Sequence, residues 1–69
     1  MKKSSLKIGE RIRVRREELQ LSQAALAEAI GDGVTQAYIS TWERGGAPRS
    51  HRLVAIAAAL EMSVSDLLG

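Results

Sequence analysis

The sequence predicts an all-α fold, a compact bundle of five short helices, and three observations carry that prediction. Ten alanines and eight leucines, both strong helix formers, dominate the apolar residues. With no phenylalanine, one tyrosine and one tryptophan, a β-sandwich or barrel would lack its usual filling. Turn-forming stretches at Gly31-Asp32-Gly33 and Gly45-Gly46-Ala47-Pro48 cut the chain into helix-length pieces.

The 69 residues are expected to make one domain, 1–69, with 1–5 expected as a flexible basic start. A chain this short buries only about 60% of its unfolded surface, so its core must be economical. It has no cysteine to staple that core, and a single histidine offers no metal cluster. Lys2 and Lys3 are not followed by the apolar run of a signal peptide, and no stretch approaches the ~20 apolar residues of a membrane span. The absence of cysteine fits a reducing cytoplasm.

Each helix follows from local signals. Ser4 or Ser5 can cap a first helix running to about Leu19, with Leu6, Ile8, Ile12 and Leu19 near one face. Ser22 is a good N-cap for a second helix to Ile30, with Leu26, Ala27 and Ile30 at core spacing. Gly31 ends it, since glycine takes the left-handed conformation without strain. Thr35 caps a third helix, about Gln36 to Arg44, with Ile39 and Trp42 inward. Arg49 or Ser50 opens a fourth to about Leu60, with Leu53, Ile56, Ala57 and Leu60 inward. Ser63-Val64-Ser65-Asp66 resembles a capping box with Asp in place of Glu and starts a short last helix.

The charge is modest overall at +2, but it is unevenly spread. Residues 1–16 carry Lys2, Lys3, Lys7, Arg11, Arg13, Arg15 and Arg16 against Glu10 alone. A second basic stretch holds Arg44, Arg49 and Arg52 against Glu43. Such a pattern suits a polyanion, most simply nucleic acid, and it equally suits a solvated face on the first helix.

Two short helices joined by a glycine turn form the unit that presents a recognition helix to DNA. Ala27 supplies the small residue where the helices cross, Gly31 the turn, and Ile39 the buried anchor of the second helix. Gln36, Tyr38, Ser40 and Thr41 are left facing outward. In full, Leu21-Ser22-Gln23-Ala24-Ala25-Leu26-Ala27-Glu28-Ala29-Ile30-Gly31 and Val34-Thr35-Gln36-Ala37-Tyr38-Ile39-Ser40-Thr41-Trp42-Glu43-Arg44-Gly45 resemble the Cro-and-phage-repressor (XRE-type) helix-turn-helix family, with a lambda-repressor-like domain. The likeness runs from Ile8 through Pro48, the Leu53-to-Leu60 helix and Ser63 to Leu68.

That resemblance implies site residues. Gln36, Ala37 and Tyr38 occupy the first turn of the recognition helix, with Ser40 and Thr41 behind them, as candidate base readers. Glutamine pairs bidentately with adenine, and an alanine methyl contacts the thymine methyl. Ser22, Gln23 and Thr35 near helix starts, and Arg44, Gly46 and Arg49 around the following loop, are candidate phosphate contacts; free N–H groups at a helix start suit a phosphate in any case. Arg16 and Glu43 match an internal ion pair of some relatives and are read as structural. Three positions depart from the family pattern. Gln20 and Glu61 stand where glycine is usual, so the first turn is expected to differ slightly and the fourth helix to end less sharply or run on. Asp32-Gly33 lengthens the turn between the paired helices by two residues, which is expected to tilt the recognition helix.

Other readings apply to several of these residues. Gln23 and Thr35 also serve as cap-region residues. Tyr38 either stacks on the sugar-phosphate backbone or covers the second helix. Arg11 and Arg13 are read as a solvated face, Trp42 as core and His51 as a surface or capping residue. No Ser-His-Asp set or cysteine nucleophile is present, and neither glycine turn follows a strand or supplies a P-loop lysine, so the parts of an enzyme are lacking. The expectation is a sequence-specific double-stranded DNA-binding transcriptional regulator of repressor type, without cofactor or small-molecule ligand. It would act as a homodimer on a palindromic operator, with Met62, Val64, Leu67 and Leu68 either at the dimer surface or capping the core. The DNA-binding end of a larger repressor, an antitoxin, and a protein-interaction module on the same scaffold are the competing expectations.

Overall fold

The computed structural model describes residues 7–69, and the candidate caps Ser4 and Ser5, the core candidate Leu6, and Lys2 and Lys3 lie outside them. Five α-helices follow in order: α1 (Ile8–Glu18), α2 (Gln23–Ile30), α3 (Gln36–Glu43), α4 (Leu53–Ala59) and α5 (Val64–Leu68). A 3-10 turn, Ser50–Arg52, leads into α4, so the α-helical part starts at Leu53 rather than at Arg49 or Ser50. There is no strand among the described residues. The third helix packs on α1 and α2, while α4 rests against α2 and α5.

The core is the one that helical spacing marks out. Ile12, Leu26, Ile39, Ile56, Leu60 and Leu67 have no accessible surface, and Ala27, Ile30, Val34, Trp42 and Ala57 are buried with them. Leu53 is only half-buried and packs against this cluster from outside, as do Met62 and Val64. Within the proposed dimer-surface set, Leu67 therefore closes the core and Leu68 alone is exposed.

Helix starts follow local chemistry. Ser22 Oγ accepts the Ala25 N–H at 2.9 Å, and Ser63 Oγ accepts the Asp66 N–H at 2.9 Å. The first helix opens at Lys7, not at a serine: the Glu10 carboxylate reaches back to accept the Lys7 N–H at 3.1 Å. Only the glutamate half of a capping box is needed to satisfy that donor. Thr35 occupies the N-cap of α3 without a side-chain cap bond.

Three helix ends share one geometry. Gly45 has φ 118°, and the Gly46 and Gly45 N–H groups donate to the carbonyls of Thr41 and Trp42 at 3.0 and 3.2 Å. The same pair of bonds ends α1 through Gln20 (φ 59°) and Leu21, and ends α4 through Glu61 (φ 57°) and Met62. These are Schellman caps. Gln20 and Glu61 thus take the left-handed conformation that glycine would have taken, and the expectation of a looser fourth helix is overturned. The local strain is carried because Leu21 and Met62 pack on the core immediately afterwards. The Arg15 side chain braces the α4 end, donating to the carbonyls of Leu60 at 2.9 Å and Glu61 at 3.3 Å. A cation is favoured at that negative dipole end.

Candidate nucleic-acid interface

The α2–α3 connection, with its two added residues, is a tight turn. Asp32 and Gly33 have φ of 51° and 77°, and the Val34 N–H donates to the Gly31 carbonyl at 3.0 Å. Two successive positive φ values inside such a bond are the signature of a type I′ turn, for which Asp-Gly is a preferred pair. Val34 is then buried, so the chain re-enters the core before Thr35 starts α3.

From that start α3 divides cleanly. Ile39 and Trp42 point inward, while Gln36, Ala37, Tyr38 and Thr41 are exposed. Ser40 is half-buried, less open than expected. Thr35, Ser22, Arg44 and Arg49 are exposed, and Gln23 is half-buried. Gly46 is half-buried, and its N–H is occupied by the Thr41 carbonyl, so it shapes the loop instead of offering that donor to a phosphate.

Behind the exposed edge lies a polar brace. Arg16 grips Glu43 with two bonds of 2.7 and 3.0 Å and donates a third to the Leu21 carbonyl at 2.8 Å. Gln23 Nε2 donates to Glu43 Oε1 at 3.1 Å, and Gln36 Nε2 donates to Gln23 Oε1 at 3.3 Å. One chain of bonds thereby joins α1, the starts of α2 and α3, and the end of α3. Burial alone would push the Glu43 carboxyl up, but the hydrogen bonds from Arg16 and Gln23 and the Arg16 charge outweigh it and hold the group below its ordinary value. The Glu43 hydrogen bond correspondingly raises Arg16, against the opposing effect of burial. A bidentate pair whose side chains are 12% and 5% exposed is a rigid fastening.

The basic residues divide differently from the sequence expectation. Arg15 and Arg16 are occupied within the fold, and Arg11 is half-buried with its guanidinium against Gly69, so it is not part of a solvated face. Arg52 lies over Tyr38 and bonds Asp32. Arg13, Arg44 and Arg49 remain exposed. Sequence reasoning missed Arg52 and also Gly9, which sits directly against the backbone of Trp42. The signal available for Gly9 was its place inside a helix, where glycine costs about 1 kcal/mol against alanine unless packing demands it.

Comparison with known proteins agrees with this geometry. Residues 12–67 match the helix-turn-helix family. The chain is 44% identical over 62 residues to Repressor protein C2 of Salmonella phage P22, covering 88% of this chain and 28% of that protein. It is 38% identical over 69 residues to the HTH-type transcriptional regulator DicA of Escherichia coli (strain K12), covering 99% of this chain and 50% of that protein. The chain thus spans half or less of the length of these relatives. A crystal structure of the P22 c2 repressor protein in complex with synthetic operator 9T, in the presence of Tl+, superposes with a TM-score of 0.83 and 42% identity over 93% of this chain and 96% of that one. With its paired α2 and α3 and this extent of match, the chain belongs to the XRE-type helix-turn-helix family.

Proposed function

We propose that this chain is a sequence-specific double-stranded DNA-binding transcriptional regulator, acting as a repressor by occupying an operator. The observation that carries the reading is the polar edge of α3, exposed at Gln36, Ala37, Tyr38 and Thr41 and locked from behind by Ile39, Trp42 and the Arg16–Glu43 brace. A helix held this way enters the major groove without reorganising.

Gln36 is suited to adenine in a specific way. One of its N–H groups is engaged by Gln23, which leaves the other N–H and the carbonyl oxygen for the two-bond pairing with an adenine edge. Ala37 offers a methyl to thymine, Tyr38 and Thr41 complete the reading edge, and Ser40 is a weaker contributor because it is half-buried. Ser22, Thr35, Arg44 and Arg49 hold phosphates around it. Gln23 acts first as the brace of Gln36 and reaches a phosphate only from that position.

Blocking access to a promoter needs binding alone, so no catalytic step, cofactor or small-molecule ligand enters the account. No helix among the described residues is long and apolar enough to cross a membrane, and the site of action is the cytoplasm, where the DNA is. A small reading surface favours a two-fold dimer, with half-sites about 34–36 Å apart and exposed Leu68 available at the contact.

The test is to select duplexes from a random pool with the 69-residue chain and to measure Kd for the recovered duplex against a scrambled one as salt is varied. The expected result is preference for the selected duplex and a steep loss of affinity with salt. No preference and no salt dependence would end the proposal.

A further inference from the structure

We propose that Arg52 is a positioning residue that fixes Tyr38 as a rigid reader of one base-pair step. The inference rests on the DNA-binding reading above and adds a residue to it that lies outside α3. Arg52 ends the 3-10 turn before α4, and its side chain is only 17% exposed. Its Nη1 donates to the Asp32 carbonyl at 3.2 Å and reaches Asp32 Oδ2 at 3.5 Å. The same guanidinium lies over the Tyr38 ring, 5.3 Å from its centroid.

One side chain therefore joins three elements: the turn that precedes α3, the first turns of α3 itself, and the start of α4. Trp42 supplies the other wall, its buried ring meeting Tyr38 edge-on at 6.1 Å and 69°. With a cation on its face and the Trp42 indole inclined to it at 69°, Tyr38 is contacted on two sides, yet it stays 42% exposed. A pre-placed aromatic on a DNA-facing helix offers an apolar surface to a thymine methyl and a phenolic hydroxyl to a base edge. Arg52 is poorly placed to bind a phosphate itself. Its Nη1 is engaged by Asp32 and its guanidinium carbon lies over Tyr38, whereas Arg44 and Arg49 stand exposed.

Lysine in place of Arg52 keeps the charge but loses the flat guanidinium that reaches Asp32 through Nη1 while lying over Tyr38. The experiment compares the parent, Arg52→Lys, Tyr38→Leu and the double variant, each as the full 69-residue chain. Each is tested on the duplex recovered by the parent and on all single-base variants of that duplex. Arg52→Lys is expected to lose on the order of tenfold in discrimination at one step only, with the salt dependence unchanged. Tyr38→Leu should lose discrimination at the same step, and the double variant should lose no more than either. In DNA-free protein, the Arg52 side-chain proton resonances should be shifted upfield by the ring and revert in Tyr38→Leu.

A uniform loss of affinity across sequences, with no step singled out, would make Arg52 a phosphate ligand and overturn the proposal, as would a salt slope smaller by about one in the charge-removing variant Arg52→Gln. Additive losses at different steps, or no loss at all, would overturn it as well. Should Arg52→Lys fail to melt cooperatively, the step-specific loss in Tyr38→Leu and the resonance shift decide the matter, and the absence of either overturns it. A parent chain without sequence preference would instead refute the underlying DNA reading, a result visible before any variant is made.

Discussion

Gly9 lies so close against Trp42 that a β-carbon on Gly9 would overlap the Trp42 carbonyl oxygen. The contact is backbone to backbone across α1 and α3, so no flexible side chain can move to relieve it. It sets the distance at which the candidate recognition helix leans on α1.

Gly9→Ala should therefore destabilise the fold despite alanine's better helix propensity. The expected loss is about 2 kcal/mol or more, the cost of forcing extra volume into a packed contact. For a chain of this size that lowers Tm by roughly 10 °C, measured by thermal unfolding followed at 222 nm. A variant more stable than the parent would show that α1 and α3 do not meet there.

Gln20 and Glu61 carry left-handed strain that glycine removes. Gln20→Gly and Glu61→Gly should each stabilise by about 1 kcal/mol, and their effects should add because they end different helices. Denaturant midpoints of the two single variants and the double variant check this. Gly45→Ala, at φ 118°, should change stability in the opposite direction.

The Arg16–Glu43 pair should behave as a buried fastening. Removing one partner, as in Glu43→Leu, leaves Arg16 with only the Leu21 carbonyl and the more distant Glu17 carboxylate and should cost about 3 kcal/mol. The Arg16→Leu and Glu43→Leu double variant should be no worse than that single one. Because folding lowers the Glu43 pKa, the folded state binds fewer protons than the unfolded state in the acid range. The stability it contributes is present in full above the ordinary glutamate value, about 4.3, and is lost as pH falls through the lower folded value. Denaturant titrations across that range should show this loss in the parent and a smaller one in Glu43→Gln.

On DNA, the two classes of contact should separate. Gln36→Ala should relax preference at one position by about 1–3 kcal/mol, while Arg44→Ala and Arg49→Ala should weaken all duplexes alike and reduce the salt slope by about one each. Binding isotherms at several salt concentrations distinguish these effects.

How much of this was legible beforehand depended on whether the deciding force was local. Periodicity placed Ile12, Leu26, Ile39, Trp42, Ile56 and Leu60 in the core, and Ser22 and Ser63 announced their helices, because a cap bond spans only three residues. Lys7 escaped notice as a cap because its satisfied donor depends on Glu10. The turns at Gln20 and Glu61 were read as departures because side-chain identity argued against positive φ, yet the packing of Leu21 and Met62 overrode it. Arg15 was legible only as charge, since its bonds to Leu60 and Glu61 span 45 and 46 residues. Gly9 and Arg52 likewise act across the fold, where no spacing rule reaches.

The most direct test of the central claim is to titrate isotopically labelled protein with its selected duplex and map the amide shifts. The account predicts that the largest changes fall on Ser22, on Thr35 to Thr41, on Arg44 to Ala47 and on Arg49, in one contiguous face. Changes confined to α5 and the outer side of α4, with α3 silent, would contradict it.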